Sequence, residues 1–149
     1  MWPARGLIGR DRITWPTVSR ENIELTRQVI EAYNRRDIEA IRALNDPDVE
    51  LDWSASRGFD AGVYRGIGAV LDFYDNFYDT FEAVTVEPQR FIEAGDSVVV
   101  PNSGRVRGRE GIEAIARSAL VFTFRDNRVA RVCLYQETEN ALEAVGLRS

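Results

Sequence analysis

The chain of 149 residues contains no histidine. That removes His-based catalytic triads, the common zinc sites and the usual general base near neutral pH. It contains no lysine either, since all 19 basic residues are arginine. Schiff-base chemistry and a lysine-anchored pyridoxal phosphate are therefore excluded. A single cysteine, Cys133, permits no internal disulfide and leaves a thiolate metal site without ligands. The expectation is a protein with no metal and no cofactor. Any acid–base work falls to carboxylates, tyrosines, arginines and bound water.

A basic excess is lacking as well. The net charge is −5 and the arginines are scattered, which argues against a nucleic-acid partner. No apolar run approaches a membrane span, so no membrane partner is expected. The opening "MWPARGLIGRDRITWP" is broken by arginines, an aspartate and prolines. It has no apolar centre of the kind a secretory signal needs, and a cytoplasmic location is the default. The length suits one domain, which buries roughly 70% of its unfolded surface without a staple. No internal repeat or low-complexity tract is present.

What is there is a patterned alternation. Residues 1–18 read as an arm, tied down by Trp2 or Trp15, ahead of a single domain over 19–149. Ser19 suits a helix N-cap, and Leu25, Val29, Ala32 and Tyr33 follow at helical spacing. Asp37 caps a shorter helix with Ile38, Ile41 and Leu44 inward, ended by "NDPD". A strand over 49–54 leads into a loop with Gly58, Gly62 and Gly66. In "GIGAVLDFYDNFYDTF", Val70, Phe73, Phe77 and Phe81 make the stripe of a third helix, with Tyr74 beside it. Strands then run over 84–93, from 97 to an interruption at "PNSG", over 105–109, 112–125 and 129–137, with turns at "AGD", "REG" and "RDNR". Pro88 marks an edge or a bulge. A terminal helix over 139–145 stops at Gly146. Helices followed by antiparallel strands give an α+β domain, a strongly curved sheet wrapped around three N-terminal helices with a short C-terminal helix. Such curvature leaves a concave mouth, where ligands are commonly held.

This order of elements resembles the nuclear-transport-factor-2-like superfamily, and within it the SnoaL-like proteins. The motifs that carry it are "VIEAYNRRDIEAI", "PDVELDW", "GVYRGIGAVLDFY", "FIEAGDSVVV", "VFTFRDNRVARVCLYQE" and "ENALEAVGL", from about Ser19 to Leu147. The resemblance implies an α+β cone with a deep apolar pocket, and often a homodimer packed through sheet faces. It aligns Asp52 with the catalytic carboxylate base of the ketosteroid isomerases. Other positions depart from that pattern. Val29 stands where those isomerases keep an oxyanion-binding tyrosine, with Tyr33 one turn later, and Arg117 stands at their protonated aspartate. Limonene-epoxide-hydrolase-like proteins carry an Asp–Arg–Asp set. Here "RVR" at 105–107 and Leu134 replace two pieces of it.

Asp52 and Arg117 are thus the candidate catalytic residues. In "VELDWS" the apolar set Val49, Leu51 and Trp53 alternates with Glu50, Asp52 and Ser54. Asp52 either faces solvent or reaches a pocket, where desolvation would raise its pKa and suit it to proton abstraction or water activation. Arg117 shares a strand face with Ile115, Ala119 and Val121. It either snorkels at the surface or pairs with Asp52 to orient a substrate oxygen. Candidate ligand-binding residues are Tyr33 and Tyr64 as hydrogen-bond donors, Trp53, Phe73 and Phe77 as apolar walls, and Gln136 as a polar tip among apolar neighbours. Two functions follow. One is a cofactor-independent acid–base enzyme of isomerase, cyclase, hydrolase or dehydratase type, acting on a small apolar molecule that bears a carbonyl or epoxide. The other is a non-catalytic ligand-binding or dimeric assembly module of the same fold.

Overall fold

The structure is a computed structural model that describes residues 14–147 apart from residue 59, with side chains described from Arg20 onward. The expected arm over 1–18, with Trp2 and Trp15, lies largely outside that description. The part that is described is helical, because α1 spans Thr14–Arg35 and takes in Pro16 and Ser19. Pro16 falls within the first turn, where its missing N–H breaks no helical bond. Ser19 is therefore not the N-cap. Asp37 does cap α2, Ile38–Leu44, its Oδ1 accepting from the Ala40 N–H at 3.1 Å. Ile41 is 1% exposed, as the inward face requires.

The strand β1, Asn45–Asp52, begins earlier than its alternation suggests and carries Pro47 across an irregular register between Asn45 and Glu50. A strand of three residues, β2 (Val63–Arg65), pairs with it antiparallel and lies inside what reads as a loop. Gly66 then turns the chain with φ +87, and its N–H donates to the Val49 carbonyl at 2.8 Å. That left-handed conformation favours glycine. The third helix, α3, spans Ile67–Thr80.

The remaining strands are β3 (Ala83–Pro88), β4 (Ile92–Ala94), β5 (Ser97–Arg107), β6 (Glu113–Arg125) and β7 (Arg128–Tyr135). The last helix, α4, is Thr138–Ala144. The run 84–93 is thus two strands, both paired with β5. By contrast β5 is continuous through "PNSG". Pro101 falls where β3 has ended and β4 has not begun, so no continuous neighbour on that side needs its N–H. The turn between β6 and β7 places Asp126 at φ 54 and Asn127 at φ 63, the signature of a type I′ hairpin.

The seven strands form one open, mostly antiparallel sheet in the order β2-β1-β7-β6-β5-β3, with β4 beside β5 and β1–β7 the parallel pair. One face packs on α1 and α3 through Val29, Ile30, Val70 and Phe73 against Leu51, Val98, Val100, Leu120, Phe122 and Val132. The other face holds α4, with Ala141 and Leu142 against Val99, Ala119 and Val121. Two polar clamps fix α1 to its surroundings. Asn34 donates to the Val86 carbonyl at 2.9 Å and accepts from the Val86 N–H at 2.8 Å, covering part of the β3 edge. Arg36 lies over the Tyr78 ring at 5.0 Å and donates to the Glu82 carbonyl at 3.1 Å, just past the end of α3.

Candidate functional site

Between the helices and the inner sheet face lies a cavity of about 880 Å³. Its apolar walls follow from the two periodicities. On α3, Phe73 and Phe77 stack with centroids 5.5 Å apart, and Phe73 meets Trp53 at 5.6 Å and Tyr64 at 4.7 Å. On the sheet, Leu120, Phe122, Val132 and Leu134 complete the enclosure. The mouth lies where lining residues are exposed: Arg57 on the loop after β1, Asp72 and Asn76 on α3, and Ala114 and Arg117 on β6.

The expected ligand-binding residues are brought together here. Tyr33, Trp53, Tyr64, Phe73, Phe77 and Gln136 all line the cavity. Two of them are tied to the loop that follows β1. The Tyr64 hydroxyl donates to the Asp60 carbonyl at 2.6 Å, and the Gln136 amide donates to the Ala55 carbonyl at 2.8 Å.

Of the two alternatives for Arg117, the pair with Asp52 does not form and the exposed position does. Val49 and Leu51 are fully buried, so the strand's period of two sends Asp52 to the opposite face. Asp52 is not among the residues that line the cavity. Its carboxylate accepts from the Ser54 hydroxyl at 2.6 Å and the Ser54 N–H at 3.1 Å, and pairs with Arg131 at 2.9 Å. The Ser54 hydroxyl is the largest cause of a pKa held below the usual carboxylate range, with the Ser54 N–H and Arg131 adding to it against partial burial. Such a group is a poor base. Arg117 is opposite Ser103 in the strand register and exposed, bordering the mouth. Glu50, Asp52 and Arg131 make a partly exposed charge network across β1 and β7 on the far side of the sheet.

Tyr74, Asn102 and Ser118 are among the polar residues of the cavity that sequence reasoning missed. Tyr74 packs edge-on to Tyr33 with centroids 5.2 Å apart. Burial raises the Tyr33 phenol well above its ordinary value, helped by Tyr78 and Tyr74, and pushes Tyr74 up to about 12. Neither hydroxyl has a hydrogen-bond partner among the described residues. Both residues line the cavity, and their raised pKa values keep the phenols neutral donors. Asn102 and Ser118, register partners on β5 and β6, also line the cavity. Asn102 had a sequence signal in its alternation with Val98 and Val100, which the turn-like "PNSG" obscured. The carboxylates in the lining are Asp60, half-buried and accepting from Ser56 Oγ at 3.0 Å, and the exposed Asp72. Among the described residues no cluster of metal-ligating side chains occurs, and no helix is long and apolar enough to cross a membrane.

Comparison with known proteins agrees with this architecture. No curated protein sequence matches the chain. Among solved structures, TerC co-crystallised with polyporic acid is 26% identical, covering 84% of this chain and 98% of that one, with a TM-score of 0.70. An NTF2-like protein of unknown function from Burkholderia pseudomallei is 24% identical, covering 85% and 98%, with a TM-score of 0.69. A protein with a ketosteroid-isomerase-like fold from Catenulispora acidiphila, in complex with trimethylamine, is 16% identical, covering 83% and 93%, with a TM-score of 0.68. The last two similarities speak to fold alone. The family model of the SnoaL-like domain matches residues 26–132, most of the described chain, and with the open α+β cone and its apolar hollow this places the protein in the SnoaL-like family.

Proposed function

We propose that the cavity binds a small, apolar, ring-bearing molecule and holds one of its oxygens against the Tyr33 and Tyr74 hydroxyls. The observation that carries this reading is the pair of half-buried phenols that line a mostly apolar cavity and have no hydrogen-bond partner among the described residues. A buried donor without an acceptor is costly, so a ligand carbonyl or similar oxygen gains from both desolvation and hydrogen bonding. The volume of about 880 Å³ suits a ligand of several rings. The similarity to TerC supports a ligand in the chemical range of polyporic acid.

Catalysis is the second reading, and Asp60 is the residue that favours it. It is the half-buried carboxylate in the lining. A phenol would donate to a carbonyl or epoxide oxygen while Asp60 takes a proton, which is isomerase- or cyclase-type chemistry. Titration of tryptophan fluorescence with polyporic acid tests the first reading. Saturable quenching, weakened at least about fivefold in Tyr33→Phe/Tyr74→Phe, is the expected result. No saturable binding sinks it. Turnover lost in Asp60→Asn with binding retained would establish the second.

A further inference from the structure

Asn102 sits at the middle of β5, and 3% of it is exposed. It faces the cavity beside Ser118, in a strand whose inward neighbours are Val98 and Val100. A β-branched apolar residue would suit that position better, since a buried amide is costly unless paired. Its Nδ2 donates to the Val100 carbonyl at 3.1 Å and to the Ser118 carbonyl at 3.5 Å. Nδ2 is thus turned toward two backbone carbonyls, the Val100 bond being the closer. Oδ1 has no hydrogen-bond partner among the described residues. A carboxamide oxygen accepts and cannot donate. The helical wall therefore offers donors, Tyr33 and Tyr74, while the sheet wall offers an acceptor, Asn102 Oδ1.

We infer that Asn102 is a specificity-determining residue whose Oδ1 accepts a hydrogen bond from a hydroxyl of the bound molecule. This rests on the small-molecule reading of the cavity and narrows the ligand class. The cavity selects ring systems that carry a free phenolic, enolic or alcoholic hydroxyl, and discriminates against the corresponding ethers and bare hydrocarbons. Capping the hydroxyl leaves Oδ1 desolvated and unpaired beneath the ligand, which is a strong basis for rejection. A purely structural Asn102, present only to satisfy two backbone carbonyls, gives no such discrimination.

The test uses the full chain and a matched pair of probes, 2-naphthol and 2-methoxynaphthalene, titrated by tryptophan fluorescence or calorimetry. The ether is the more apolar of the two, so simple hydrophobic binding favours it. The expected result is the reverse, with 2-naphthol at least about fivefold tighter. Asn102→Leu brings the two affinities to within twofold while retaining that for the ether, and Asn102→Ala serves as a second variant should the first not fold. A wild-type ratio near one, or a preference that survives loss of the amide, overturns the inference. Failure of both probes to bind the wild type overturns the small-molecule reading itself, and this inference with it.

Discussion

Arg131 reaches across the β1–β7 seam to place Nη2 2.9 Å from Asp52 Oδ2, while its Nε donates to Glu50 Oε2 at 3.0 Å. This contact lies on the sheet face away from the cavity and holds the Asp52 carboxylate there. Asp52→Asn should leave probe affinity within about twofold and cost only ~0.5–1 kcal/mol in urea denaturation, because the pair is partly exposed. Its pH dependence has a definite sign. The folded pKa is depressed, so the contribution is present above the ordinary carboxylate value of about 4 and is lost as pH falls through the folded pKa. Acid unfolding should be less steep in the variant. A tenfold loss of binding would return Asp52 to the site.

Removing the Tyr33 or Tyr74 hydroxyl should weaken binding of a carbonyl probe without weakening the fold. Each oxygen lacks a partner among the described residues, so its deletion strands no other group. Melting temperatures equal to or above wild type, together with reduced affinity, are expected. A large loss of stability in either phenylalanine variant would reveal a structural hydroxyl instead.

The same phenols set the alkaline behaviour. Tyr33, Tyr74 and Tyr78 are all raised by burial above the value they have when unfolded. The unfolded chain therefore loses these protons first, and stability declines as pH rises from about 10 toward the folded values. Absorbance at 295 nm should show a delayed tyrosine fraction that titrates together with unfolding. Tyr74→Phe should shrink that fraction and flatten the slope.

Local signals were legible wherever the chain alone decides the geometry. Asp37 at its cap, Asp126 and Asn127 in their hairpin, and Gly146 with φ +85 after α4 all behave as their chemistry dictates. Signals failed where neighbours decide. Pro101 reads as a break, yet β5 continues through it, paired with β6 on one side and lying between the ends of β3 and β4 on the other. Strand β2 exists only because β1 is beside it. Helical and strand periods placed Tyr33, Trp53, Phe73 and Phe77 on the faces that line the cavity. The same period of two, applied to "VELDWS", puts Asp52 outside, against the alignment that drew it in. Asn102 was hidden because asparagine beside proline resembles a turn.

Phe73 should be the costliest truncation in the cavity wall. It is 7% exposed and touches Trp53, Tyr64, Tyr74 and Phe77. Phe73→Ala removes transfer energy and enlarges an existing hollow, for a loss of about 3–5 kcal/mol. Chemical denaturation measures it, and a cost below ~1 kcal/mol would mean the wall collapses to fill the gap.

Asn34→Leu should release the β3 edge. Both amide bonds to Val86 disappear, with an expected cost of about 1–3 kcal/mol. Hydrogen exchange at the Val86 N–H should accelerate relative to Val98, which is fully buried in β5. Unchanged exchange at Val86 would show that β5 alone holds that strand in place.

The parallel seam between β1 and β7 has a consequence for how the molecule assembles. Arg131 and Glu50 meet although 81 positions separate them along the chain. Until Arg128–Tyr135 has been synthesised, β1 lacks its main strand partner and the cavity lacks Val132 and Leu134. During translation the helices and the first strand must therefore wait, greasy side uncovered, for the closing segment, a topology that slows folding and invites chaperone attention.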